Sequence, residues 1–234
     1  MTLFKTKKLI SVDTNTKTIK GQKLGVNTGI MYLAPHNLSG FQTCPNASEG
    51  CKNSCLYTAG MGIYSTVQQA RIKKTLWFFK ERKTFFETII KNIESLVRKS
   101  TKEGKISAVR LNGTSDIAWE KFKVIHNGIK YNNIMELFPT VEFYDYTKIL
   151  GRKTAIALKQ GYNVAVVMNV KNADEMPKIW GGYPVLNGDE TDVRFKDGQG
   201  FIVALTAKGE AKRDKSGFVR TVKGGFNTLS LKVA

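Results

Sequence analysis

Helical and strand patterns alternate along these 234 residues and predict an α/β protein with a mostly parallel sheet, open or rolled into a complete or partial barrel. The preferred form is a TIM-like, incomplete (β/α) barrel with a peripheral N-terminal β-hairpin. Three observations carry this expectation. Phe85, Phe86, Ile89, Ile90, Ile93, Leu96 and Val97 recur at helical spacing, with Lys and Glu opposite. Tyr162 to Asn169 is a near-continuous apolar run, as expected of a strand covered on both faces. No internal repeat, low-complexity stretch or Pro-rich linker interrupts the alternation, so 1–234 reads as one domain, with a hairpin over 1–25 and a barrel core over 26–220.

In order, the first twenty-five residues alternate Thr and Lys with small apolars and suggest the hairpin. Gly29 to Ala34 reads as the first core strand and stops at Pro35. Ser65 or Thr66 caps a helix whose apolar face is Val67, Ala70, Leu76 and Phe79. The amphipathic helix of Phe85 to Val97 comes next. Ile106 to Asn112 is a strand, followed by one helical turn at 117–120 and a short helix near 134–138. Val141 to Thr147 is a strand rich in β-formers, Arg152 to Gln160 a helix stopped by Gly161, and Phe201 to Thr206 the last strand.

The 37 Lys and Arg against 19 Asp and Glu give a net charge of +18. Such an excess attracts nucleic acid or other polyanions, or serves solubility; the basic residues are spread along the chain and form no long run. No stretch approaches a membrane span, and the amino terminus lacks the apolar centre of a signal peptide. A cytoplasmic protein with reduced thiols is expected.

All three cysteines fall inside one twelve-residue window, Cys44-Pro-Asn-Ala-Ser-Glu-Gly-Cys51-Lys-Asn-Ser-Cys55. An odd count argues against a disulfide framework, and the polar, turn-rich surroundings argue against three core residues. Thiolates gathered on a loop suit an iron–sulfur cluster, either 4Fe-4S with one iron open or 3Fe-4S. Zinc completed by His36 or His126 is the alternative, and a reactive thiol without metal the third.

In parallel α/β sheets the polar residues just past the carboxyl ends of strands line the active face. That rule selects Asp116, Tyr146 and Lys148 as catalytic candidates and Asn112, Ser115 and Asn169 as candidates for holding a cofactor. Asp116 could equally cap a helical turn. The carboxylates of Gly188-Asp-Glu-Thr-Asp192 suit either a divalent cation or ion pairs with Arg194 and nearby lysines.

Several longer strings share a pattern. They are Thr-Cys44-Pro, Gly50-Cys51, Thr58-Ala-Gly-Met-Gly, Gln69-Ala-Arg71-Ile, Val109-Arg-Leu-Asn-Gly-Thr-Ser-Asp116-Ile, Phe143-Tyr-Asp-Tyr-Thr-Lys148 and Ser216-Gly-Phe-Val-Arg220. In these the chain resembles the bacteriophage gene-product-eighty-eight family. The resemblance implies a phage-encoded protein acting in an infected bacterium. The three-cysteine loop after the first strand also resembles that of radical S-adenosylmethionine enzymes, which implies a cluster whose open iron takes that cofactor. The intervals here, six and three residues, depart from that family's usual three and two, and no glycine-rich segment for the methionine end is evident.

Two functions follow as expectations. One is an iron–sulfur protein, redox or radical-type, acting on an unknown small molecule or with a redox partner. The other is a basic nucleic-acid-binding or host-interaction protein with structural zinc or no metal.

Overall fold

A computed structural model describes residues 6, 8–148, 152–190, 193, 195 and 200–220. Five parallel strands form the frame: β2 (Val26–Met31), β3 (Ile106–Arg110), β6 (Glu142–Thr147), β7 (Tyr162–Val170) and β10 (Ile202–Thr206). They neighbour one another in chain order, the singly wound arrangement from which barrels are built. The barrel does not close. Beyond β2 the sheet ends on β1 (Ile10–Val12), which runs antiparallel to β2. Beyond β10 it continues into β9 (Tyr183–Asn187) and ends on β8 (Ile179–Trp180). Among the described residues, a nine-stranded, mostly parallel open sheet therefore stands where a TIM-like barrel was expected.

The ninth strand, β11 (Val219–Arg220), has a particular position. It pairs in parallel with Asn169 and Val170 of β7, whose earlier residues 162–166 pair with β6. Because β10 occupies the other edge of β7 at 166–170, β11 takes the edge that β6 vacates at Thr147. The chain returning from the far end of the protein thus fills the sheet just where Lys148 leaves it.

The core follows the periodicity. Helix α4 (Arg82–Lys102) buries Phe85, Phe86, Ile89, Ile90, Ile93 and Leu96 against β1, β2 and β3. Phe78 of α3 (Ser65–Lys80) meets Phe79, Phe85, Phe86, Trp119 and Phe122 at centroid distances of 4.9 to 6.4 Å. The buried face of α3 differs from the expected one. Arg71, Thr75, Trp77 and Phe78 are buried, while Ala70 is exposed: Arg71 meets Tyr32 and Thr75 accepts the Ala34 N–H just after β2, and Phe78 meets Trp119.

The N-terminal hairpin is also corrected. Among the described residues of 1–25, one short strand, β1, is followed by helix α1 (Thr16–Lys23) in place of a second strand. Asn15 starts the helix: its side chain accepts the Thr18 N–H, and the Thr18 hydroxyl and Asn15 backbone reciprocate. A two-stranded ribbon of β4 (Val124–His126) and β5 (Ile129–Tyr131) turns on Asn127-Gly128, both at positive φ. Short helices α5 (Ile134–Leu137) and α6 (Thr154–Lys159) complete the connections, α6 packing on β7. No helix among the described residues is long and apolar enough to cross a membrane.

Candidate metal and anion site

The carboxyl ends of β2, β3, β6 and β7 share one edge of the sheet, and the cysteine segment folds over it. Its path begins at His36, which adopts a left-handed backbone (φ 40°) and donates its N–H to the Cys44 sulfur at 3.4 Å. The fully buried Thr43 closes this loop: its N–H reaches the His36 carbonyl and its hydroxyl the Ala34 carbonyl at 2.7 Å. Ser48 caps a short helix, α2 (Glu49–Asn53), that carries Cys51. Cys55 then starts a 3-10 turn, Leu56–Thr58, whose Tyr57 and Leu56 amides approach its sulfur.

The C-terminal part of the chain clamps this segment. Gly50 of α2 lies against Ser216 and Phe218; a Cβ built on it would stand 2.6 Å from Phe218 Cβ. Gly209 sits against Thr58 and Ala59, where an added Cβ would stand 2.9 Å from Ala59 Cβ and from the Thr58 carbonyl oxygen. These close approaches leave no room for a side chain at either glycine.

All three cysteines are free thiols of intermediate exposure. Burial raises their pKa values, pushing Cys51 up to about 11, and proximity adds to it: Cys44 and Cys51 each feel Cys55 and Asp116. Opposing this are Lys148, which acts on Cys51 and Cys55, and Arg71, which acts on Cys55. Among the described residues, no three His, Cys, Asp or Glu side chains are grouped as a single-ion site.

Lys148 is exposed to solvent, yet the protein packed around it lowers its pKa, an effect offset by Cys51, Cys55 and Asp116. Its ammonium donates to Asn169 Oδ1 at 3.2 Å and lies 4.9 Å over the Phe218 ring. Asp116, raised chiefly by burial, accepts the Thr147 hydroxyl at 2.8 Å and faces Arg152 at 3.8 Å. Arg152 in turn grips both oxygens of Glu120, at 3.0 and 2.9 Å.

The expected residues thus divide into two groups. Cys44, Cys51, Cys55, Asp116, Lys148 and Asn169 are brought around one basin. Tyr146 lies under the Arg110 guanidinium at 4.5 Å. Asn112 and Ser115 hold the turn beneath: Asn112 Oδ1 accepts from Ser115, Ile117 and Trp119, and its amide donates to Ile117 O and the Tyr162 hydroxyl. With those five bonds the Asn112 side chain is fully engaged inside the protein.

His36 Nδ1 pairs with Asn37 Oδ1, and His126 lies on the β4–β5 ribbon facing Glu94 of α4 at 3.6 Å. Neither joins a three-ligand group. Of the acidic segment, Asp189 accepts the Thr206 N–H and pairs with Lys208, whereas Thr191, Asp192 and Arg194 lie outside the described residues.

Three participants were not singled out from the sequence. Asp145, fully buried, accepts the Leu111 and Asn112 amides at 2.8 and 2.9 Å, the Tyr162 hydroxyl at 2.6 Å and Arg110 at 3.5 Å. It fixes the turn that carries Asp116. Phe218 reaches the basin from the far end of the chain, a proximity that only the β7–β11 pairing creates. Arg71 is the third, and the available signal was an arginine one turn before Thr75 on a helix face that also carries Phe78.

No curated protein and no solved structure matches the chain. The likeness to radical S-adenosylmethionine enzymes therefore finds no support in these comparisons. The family model described as Gene product 88 matches residues 3–160, a span holding the three cysteines, Arg71, Asp116 and Lys148. The chain belongs to this family of phage proteins.

Proposed function

We propose that this phage protein binds an iron–sulfur cluster through Cys44, Cys51 and Cys55, with one iron left open to an exogenous ligand. The supporting observation is the convergence of all three thiols on one basin, with amide donors at Cys44 and Cys55 and the Lys148 and Arg71 cations beside them. The donor set fits a thiolate-bound cluster, whose negative charge cations and N–H groups stabilise. Zinc is the alternative for the same three thiolates, with a fourth ligand completing a tetrahedral site. S-adenosylmethionine remains a ligand to test at the open iron, with the thiol count as its sole support.

When bound, the cluster would supply Lewis acidity or an electron. The chain's own contributions are to release the thiol protons on loading, to hold Lys148 on Asn169 and Phe218, and to keep Asp116 at the rim. Test: the visible absorption of anaerobically purified protein, beside Cys44→Ser, Cys51→Ser and Cys55→Ser. A brown wild type with loss of colour in each variant is expected. Colourless wild-type protein that also resists reconstitution would sink the proposal.

The charge of +18 favours a second reading, a nucleic-acid-binding protein. Binding to duplex or single-stranded DNA that weakens steeply with salt, and persists in all three variants, would support it.

A further inference from the structure

Arg71 is a buried cation that pairs with no carboxylate among the described residues. It is 8% exposed, and its Nε and Nη1 are buried with no hydrogen-bond partner. The charged or titratable groups acting on it are Tyr32, Cys55 and Tyr57. The protein treats its other enclosed arginines differently. Arg152 donates from Nη2 to both oxygens of Glu120, and Arg110 is paired with Asp145. Leaving a guanidinium enclosed and unpaired is costly, so the group points to a missing counter-charge.

The position is also built. The Arg71 guanidinium lies 5.0 Å over the Tyr32 ring, and Gly113 supports that ring, where an added Cβ would come within 2.6 Å of it. Lys74, one turn along α3, brings a second cation. Burial and Arg71 pull its pKa down to about 8, and its ammonium donates to the Leu9 carbonyl at 3.0 Å.

We infer that Arg71, stacked on Tyr32, is the binding group of an oxyanion subsite beside Cys55, taking the carboxylate or phosphate of a small ligand. The guanidinium offers planar donors matched to either group. The subsite stands on Arg71 and Tyr32 alone and does not require the proposed cluster. A ligand anchored there has its remaining atoms beside Cys55, and their approach to an open iron rests on the cluster proposal.

The test is calorimetric titration of the full-length, metal-free protein with sodium acetate and with inorganic phosphate, at constant ionic strength. Wild type, Arg71→Gln, Arg71→Lys and Arg213→Gln are compared, the last removing the same charge from an exposed position. One saturable site is expected in wild type and Arg213→Gln, with affinity falling by about tenfold or more in Arg71→Gln and Arg71→Lys. The tighter of the two anions identifies the ligand as a carboxylate or a phosphate. Arg71→Lys keeps the charge and safeguards the test should Arg71→Gln fail to fold.

Equal binding by all four proteins, an equal loss in Arg71→Gln and Arg213→Gln, or no saturable binding in wild type would overturn the inference. Because no metal is present, these outcomes are independent of whether a cluster forms. If a cluster does load, retained anion binding supports the subsite, whereas its loss on loading would overturn the ligand role and give Arg71 to the cluster itself.

Discussion

Under α4, aliphatic and aromatic side chains meet one another: Phe85, Ile89 and Ile93 pack with Met31, Leu33, Val109 and Phe143, all almost fully buried. At the carboxyl ends of the same strands the enclosed groups are partly buried thiols, aspartates and arginines. Of the five buried side-chain polar atoms lacking a hydrogen bond among the described residues, four belong to Arg71, Asp116 and Arg152. The first region satisfies itself and supplies stability. The second leaves polar atoms unpaired at a cost that the first must offset, which is the usual signature of a binding site.

Truncating the apolar region has the largest expected effect. Phe78→Ala empties the centre of a six-ring cluster and is expected to cost about 3–5 kcal/mol, read from urea unfolding. A loss below about 1 kcal/mol would mean that the cluster is not the load it appears from its burial.

Asp145 links the two regions. Asp145→Asn disturbs four hydrogen bonds under the turn and is expected to cost about 2–4 kcal/mol. Its pH signature has a definite sign. Burial raises its pKa from 3.8 to about 6, so between those values the folded protein holds a proton that the unfolded chain has released. Stability from this group is therefore fully present below pH 3.8 and falls as pH rises toward 6, by about 3 kcal/mol in all. Chemical denaturation across that range should show the decline in wild type and its absence in Asp145→Asn, relative to the carboxylates common to both.

At the clamp, Gly50→Ala forces α2 away from the Phe218 turn, with an expected cost of about 1–3 kcal/mol. Alkylation of Cys51 and Cys55 should accelerate in the same variant. Unchanged rates would show that the C-terminal segment does not restrain the cysteine loop.

The smallest expected effect has the opposite sign. Arg71→Met removes an unpaired buried charge and should stabilise the metal-free protein by roughly 1–2 kcal/mol, where truncations under α4 destabilise it. Thermal melts of the two classes side by side would sharpen the contrast between the regions.

Legibility in the sequence follows the same division. The face of α4 reads directly from residues 85–96, since burial of one helical stripe imposes its own period. Strands β6, β7 and β10 stand within a residue of their expected bounds because apolar runs between turn signals are local information. Two ribbons were missed despite Asn127-Gly128 and Gly181-Gly182, turn pairs at positive φ whose flanking strands are too short to show alternation.

Closure of the sheet was not legible, because it depends on strand tilt and on what the end strands meet. At the site, the cysteines stood out by proximity in sequence. Asp116, Lys148 and Asn169 followed from the rule about strand ends. Arg71 and Phe218 did not, since each reaches the basin through tertiary packing, and an arginine on a helix carries no local mark of being unpaired.

The central claim is that the three cysteines form one metal centre. Its most direct measurement is the iron, acid-labile sulfide and zinc content per chain of protein purified without oxygen. Iron and sulfide in the ratio of a 4Fe-4S or 3Fe-4S cluster, with little zinc, is the predicted result. One zinc per chain without sulfide, or no metal both as isolated and after reconstitution with iron and sulfide, would contradict it.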